Sequence, residues 1–185
     1  MQEIRFHGRG GQGTVVASKV LAVAIAMEGK HIQAFPEFGV ERRGAPVVAF
    51  LRVNEGEIYQ KSRIYEPDHI VILDPTLMGS INVTDGLKDG GWIIVNTERS
   101  PQTVPIKGSF RIATVDAYRI AVKHGVGSKT APIVNTAILG AVNRVLKLCT
   151  AESLAEAIRR SVPIKPKENI AAATDSYEMV NGADE

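Results

Sequence analysis

A single cysteine, Cys149, in 185 residues excludes a disulfide framework. It also excludes an iron–sulfur cluster held by this chain alone, because a cluster takes about four thiolates. Cys149 closes an apolar helical run, Ile138 to Leu148, where a thiol reads as a small buried hydrophobe. No metal-type spacing joins His7, His31, His69 and His124. Charge of one sign is lacking too: 22 basic residues face 20 acidic ones, for a net charge of +2, and no basic tract forms a phosphate-tracking stripe. Nucleic acid is therefore not an expected partner. The longest apolar run, Val15 to Met27, is broken by Ser18 and Lys19 and falls short of the roughly 20 residues that span a bilayer. Met1 to His7 has neither the basic start nor the apolar stretch of a signal peptide, so the expectation is a cytoplasmic protein without a membrane partner.

Several catalytic signatures are missing as well. Gly127-Ser128-Lys129-Thr130 lacks the spacing of a P-loop, no nucleophile elbow occurs, and Asp85-Gly86 and Asp89-Gly90 lack the preceding glycine of a thiamine diphosphate motif. No repeat, low-complexity segment or linker divides the chain. The length suits one domain, residues 1–180, with a frayed tail from Asn181 to Glu185.

What is present reads as an α/β fold. Ile4 to His7 alternates apolar and polar residues, a glycine cluster follows, and Thr14 to Met27 carries the Ala- and Val-rich pattern of a packed helix. Gly29 stops that helix and His31 to Phe35 resumes as a strand, so the opening unit is βαβ with parallel strands. Ala45 to Val53, the turn Asn54-Glu55-Gly56 and Ile58 to Ile64 read as an antiparallel hairpin. Ile70 to Leu73 reads as a central strand buried on both faces by helices, and Trp92 to Asn96 and Arg111 to Val115 continue the sheet. Asp116 caps a helix to about His124. Helices over Asn135 to Leu148, from Thr150 to Ser161, and from Pro166 to about Val180 make a helical C-terminal third. The expected architecture is a single domain with a mainly parallel central sheet flanked by helices and one antiparallel hairpin.

Gly8-Arg9-Gly10-Gly11-Gln12-Gly13 satisfies G-x-G-x-x-G between a strand and a helix. Glycines let the backbone approach a ligand, and amides at a helix N-terminus favour phosphate or carboxylate. The same pattern also serves as a tight turn that binds nothing. A dinucleotide fold expects an acidic residue at the end of the second strand, where Gln33-Ala34-Phe35 stands, which argues against an ordinary NAD dehydrogenase. The loop Phe35 to Pro46 gathers Glu37, Glu41, Arg42 and Arg43. Paired guanidinium groups recognise anions or a partner's carboxylates, or the loop's charges simply satisfy one another in solvent. Asn135 to Ala141 reads as a helix start in which Gly140 permits close packing.

Three blocks in order, Phe6 to Gly13, Phe38 to Pro46 and Asn135 to Ala141, resemble the gamma subunits of pyruvate and related 2-oxoacid:ferredoxin oxidoreductases. The resemblance covers essentially the whole chain, and the arginine loop points to the pyruvate or branched-chain type. It implies a complex with alpha, beta and delta subunits that decarboxylates a 2-oxoacid with coenzyme A and passes electrons to ferredoxin. Thiamine diphosphate, Mg2+ and [4Fe-4S] clusters would sit on other subunits, with none bound by this chain alone. In single-chain members the matching domain contributes around the coenzyme A site. That implication makes Gly8, Arg9, Gly10, Gly11, Gln12, Gly13 and Thr14 the candidate contacts, with Arg42 and Arg43 second, and assigns no catalytic residue. The remaining readings are a structural assembly module and the related indolepyruvate or branched-chain subunit.

Overall fold

Alternation of side chains decides the layers. In the computed structural model, which describes residues 1–37 and 43–183, β1 (Gln2–Arg9) turns Ile4 and Phe6 to one face and Arg5 and His7 to the other. Helix α1 (Thr14–Ala26) follows, and β2 (His31–Pro36), β3 (Pro46–Asn54), β4 (His69–Ile72), β5 (Trp92–Asn96) and β6 (Arg111–Val115) complete a sheet in the order β2-β3-β1-β4-β5-β6. Strands β1, β4, β5 and β6 pair in parallel, whereas β3 runs antiparallel to both of its neighbours. Strand β3 alone is reversed, so the sheet is mixed with mostly parallel strands.

Two expectations change. The first two strands do share a direction, but β3 is inserted between them and they are not neighbours. The antiparallel hairpin joins β2 to β3, with Ala34 opposite Leu51, and β3 pairs on its other edge with β1, where Ile4 also faces Leu51. The segment Ile58 to Ile64, expected as the hairpin partner, forms no strand. Both edges of β3 are already occupied, and of the segment's side chains only Ile64 is buried while Tyr59 stays exposed.

The five α-helices share one face of the sheet. Helix α1, α2 (Ala117–Lys123), α3 (Ala137–Leu146), α4 (Ala151–Ser161) and α5 (Pro166–Met179) bury their apolar residues in one cluster with Ile4, Phe6, Leu51, Val71, Ile94 and Ala113. The opposite face is covered differently: Ile70, Ile72, Ile93 and Val95 meet Leu77 from the 3-10 turn Pro75–Gly79, together with Val83, Leu87 and Val104. Strand β4 is therefore buried on both faces as expected, but helices cover only one of them. Each fully buried branched side chain contributes about 1.5 to 3 kcal/mol, so this thinner layer still anchors the parallel half firmly.

Side-chain caps start two of the helices. Asp116 accepts from Arg119 N at 2.9 Å to start α2, and Thr150 accepts from Ser153 N to start α4. Helix α3 ends earlier than expected, because Asn143 Oδ1 accepts from both Leu148 N and Cys149 N and bends the chain after Lys147. Cys149 thus lies in a turn rather than in a helix. Gly140 lets α3 and α5 touch by backbone, since a Cβ there would stand 1.7 Å from Ala173 O. The tail expected to fray from Asn181 is tied in at that residue, which exchanges two backbone hydrogen bonds with Thr114 of β6. Among the described residues no helix is long and apolar enough to cross a membrane.

Candidate functional site

The carboxyl ends of β1 and β4 lie side by side, and the chain leaves them toward opposite faces. After β1 it enters α1 on the helical face; after β4 it enters the 3-10 turn on the other. Such a switch point opens a crevice at the carboxyl edge of an α/β sheet. The glycine turn stands at its rim.

Within the turn, Gly11 and Gly13 take φ of +94° and +79°, a region that other residues enter only with strain. Gly8 packs closely against Thr14, and a Cβ there would stand 2.1 Å from Thr14 Oγ1 unless that hydroxyl rotated away. Gly13 caps α1 without any side-chain hydrogen bond, and no acidic residue sits in the first helical turn. The first intrahelical bond is Ala17 N to Gly13 O at 2.8 Å. The amides of Gly11, Gly13, Thr14, Val15 and Val16 find no acceptor among the described residues. Thr14 Oγ1, buried beside them, has no partner either. The result is a concentration of unpaired donors at the positive end of a 13-residue helix. A cleft of about 630 Å³ opens on it, lined by Arg9, Gly10, Thr14, Val16, Arg43 and Val47 among others.

Asp74, at the end of β4, organises the turn from below. Its Oδ1 accepts from Thr76 N at 2.9 Å and Thr76 Oγ1 at 2.6 Å, and its Oδ2 accepts from Gln12 Nε2 at 2.7 Å and lies 3.2 Å from Arg9 Nε. Burial raises its pKa and the hydrogen bonds from Thr76 and Gln12 lower it; with Arg9 beside it, the carboxyl ends below its ordinary value. Gln12 Oε1 in turn accepts from Arg9 N at 2.8 Å. The Arg9 guanidinium also donates to Thr76 Oγ1 at 2.8 Å and to Gly44 O at 3.1 Å. Gly10 continues the ladder toward β3, donating to Ala45 O and accepting from Gly44 N.

Of the residues singled out from the sequence, Arg9, Gly10, Gly11, Gly13, Thr14 and Arg43 line this cleft, whereas Gly8 and Gln12 do not; Arg42 lies outside the described residues, as do Phe38, Gly39, Val40 and Glu41. The Gln12 side chain joins the turn to Asp74, accepting from Arg9 N and donating to Asp74 Oδ2. Sequence reasoning missed Asp74 and Thr76. Their signal was Asp-Pro directly after a buried apolar run, a side-chain-capped turn at a sheet edge. It also missed Tyr118 and treated Asn135 as architecture; both line a second cleft, of about 430 Å³, that borders Gly11, Gln12 and Gly13 from the other side.

Comparison with known proteins decides the family. The family model described as pyruvate ferredoxin/flavodoxin oxidoreductase matches residues 3–179. The chain belongs to the pyruvate ferredoxin/flavodoxin oxidoreductase family. It is 50% identical over 182 residues to the pyruvate/ketoisovalerate oxidoreductases common subunit gamma of Pyrococcus furiosus, covering 96% of each chain. It is 48% identical over 160 residues to the pyruvate synthase subunit PorC of Methanosarcina barkeri, covering 86% of this chain and 85% of the other. The crystal structure of pyruvate oxidoreductase subunit PORC from Thermotoga maritima superposes with a TM-score of 0.81 at 35% identity, covering 97% of both chains.

Membership of this oxidoreductase family raises the question of redox groups, and the donor set answers it for this chain. Among the described residues no three His, Cys, Asp or Glu side chains gather to hold a metal. Burial, with Glu28 nearby, pushes the Cys149 thiol up to about 12, so it stays protonated at neutral pH. These residues do not fit an iron–sulfur cluster.

Proposed function

We propose that the chain is the gamma subunit of a heteromeric 2-oxoacid:ferredoxin oxidoreductase of the pyruvate synthase type. The complex converts pyruvate, coenzyme A and oxidised ferredoxin to acetyl-CoA, carbon dioxide and reduced ferredoxin. Names of relatives that match along nearly the whole chain support the subunit type. In this reading thiamine diphosphate, Mg2+ and the clusters belong to the alpha, beta and delta partners, in the cytoplasm. The chain contributes to assembly and places its glycine turn against the phosphates of coenzyme A.

One observation carries the coenzyme A reading: the amides of Gly11, Gly13, Thr14, Val15 and Val16, without acceptors among the described residues, open beside Arg9 on a cleft at the sheet's switch point. A helix N-terminus stripped of side-chain caps favours an anion, and a phosphate accepts several such donors at once. The test is the Michaelis constant for coenzyme A in the assembled enzyme carrying Arg9→Ala or Thr14→Val. Both variants should raise it, and Thr14→Val should do so without loss of stability, because the hydroxyl has no partner to lose. If neither constant moves, the turn is a packing device.

That second reading, an assembly module, rests on a specific observation of its own. Gln12 and part of the Arg9 guanidinium are engaged inside the chain, as a purely structural turn requires.

A further inference from the structure

A carboxylate beside an anion site is unfavourable unless something compensates for its charge. Asp74 is only 6% exposed and lies against the turn whose amides face the cleft. Three hydrogen bonds nevertheless reach its two oxygens, from Thr76 N, Thr76 Oγ1 and Gln12 Nε2, and the Arg9 guanidinium pairs with it as an ion, Nε lying 3.2 Å from Oδ2. The arrangement joins the two loops that part at the switch point, one after β1 and one after β4.

We infer that Asp74 is the positioning residue of the proposed coenzyme A site, acting through Arg9; this rests on the anion-site reading above. The guanidinium has five N–H groups. Nε donates to Thr76 Oγ1 and forms the ion pair with Asp74, Thr76 also takes one N–H of the NH2 nitrogen, and Gly44 O takes one of NH1. One N–H on each terminal nitrogen finds no acceptor among the described residues, and Arg9 lines the cleft. Asp74 thus fixes the inner edge of the fork and leaves its outer edge for an incoming phosphate, the bidentate geometry that guanidinium groups favour. Through Gln12 it also sets the Arg9 backbone, so side chain and main chain of one residue are held from a single carboxylate. An arginine already immobilised does not lose its rotamer freedom on binding, which is the gain of a preorganised site.

The variant Asp74→Asn retains an acceptor for Thr76 N but turns an NH2 group toward Gln12 Nε2 and Arg9 Nε, opening the clamp. In the assembled complex it should raise the Michaelis constant for coenzyme A roughly two- to tenfold with kcat nearly unchanged, the size expected for releasing one long side chain. Thr76→Val, at an exposed and nearly isosteric position, is the milder variant should Asp74→Asn not assemble, and it should act in the same direction. The decisive measurement is the double variant with Arg9→Ala. If Asp74 works through Arg9, the double variant is no worse for coenzyme A than Arg9→Ala alone. If Arg9→Ala raises the constant while Asp74→Asn and Thr76→Val leave it unmoved, or Asp74→Asn adds its full factor on top, the positioning role is overturned and the anion site stands. If Arg9→Ala itself changes nothing, the anion-site reading fails and this inference fails with it.

Discussion

Gln12 Nε2 donates to Asp74 Oδ2 at 2.7 Å, joining the loop after the first strand to the loop after the fourth. The same amide accepts the Arg9 N–H, so the side chain closes its own turn. Gln12→Ala should therefore behave as a structural lesion, leaving one partly buried N–H without its acceptor and one carboxylate oxygen short of a donor. The expected loss is about 1 to 3 kcal/mol in denaturant unfolding of the chain. A melting curve unchanged by the substitution would show that water replaces both contacts freely.

Gly140 gives the sharpest packing prediction. A methyl group there would lie 1.7 Å from Ala173 O and 2.9 Å from Tyr177 N, both main-chain atoms that cannot rotate away. Gly140→Ala should force α3 and α5 apart and cost about 3 kcal/mol or more, despite the better helix propensity of alanine. Gly79→Ala, with nothing within 4 Å of the added atom, is the control and should be close to neutral. Comparable unfolding midpoints for the two would refute the helix crossing described above.

His7 makes stability depend on pH. Burial first, and the neighbouring Arg5 second, hold its pKa down from 6.5 to about 3, so it is neutral in the fold, where its Nε2 accepts from Arg5 Nε at 3.0 Å. Between those values the unfolded chain binds a proton that the folded chain does not. Stability is therefore fully present above pH 6.5 and falls as the pH drops through the window, by about 2 kcal/mol at pH 5. His7→Gln retains an acceptor toward Arg5 without titrating. Urea midpoints measured from pH 7 to 4.5 should fall less steeply in the variant, and identical slopes would show that His7 titrates normally.

Cys149 should resist thiol reagents in the native state. Its sulfur lies 3.5 Å from Asn143 Oδ1, and burial raises its pKa to about 12, so the thiolate is scarce at pH 8. Alkylation should be slow in buffer and rapid in denaturant. Equal rates in both would mean that the turn after α3 opens readily.

Local chemistry made much of this fold legible. Strands β5 and β6 and the helix opened by Thr150 lie where their apolar runs and caps placed them, and the glycine turn stands between strand and helix as its pattern required. Pairing partners were not legible. Asn54-Glu55-Gly56 has the composition of a hairpin turn, yet the strand before it is flanked by residues 2–9 and 31–36, a choice made by matching buried faces far apart in sequence. The site divides in the same way. The glycines announce themselves because φ and close approach restrict which residue fits, whereas Asp74 acquires its meaning only when a strand more than 60 residues later comes to lie beside β1.

The placement of β1 also bears on synthesis, in which the chain emerges from its N-terminus. Its two neighbours are residues 46–54 and 69–72, so until those segments have emerged β1 has both edges bare. Helix α1 can form meanwhile, and its Ala- and Val-rich face can shield Ile4 and Phe6, but no ladder closes until β3 arrives in reverse orientation. Strand β3 is thus the piece that converts a helix lying on a loose strand into a sheet.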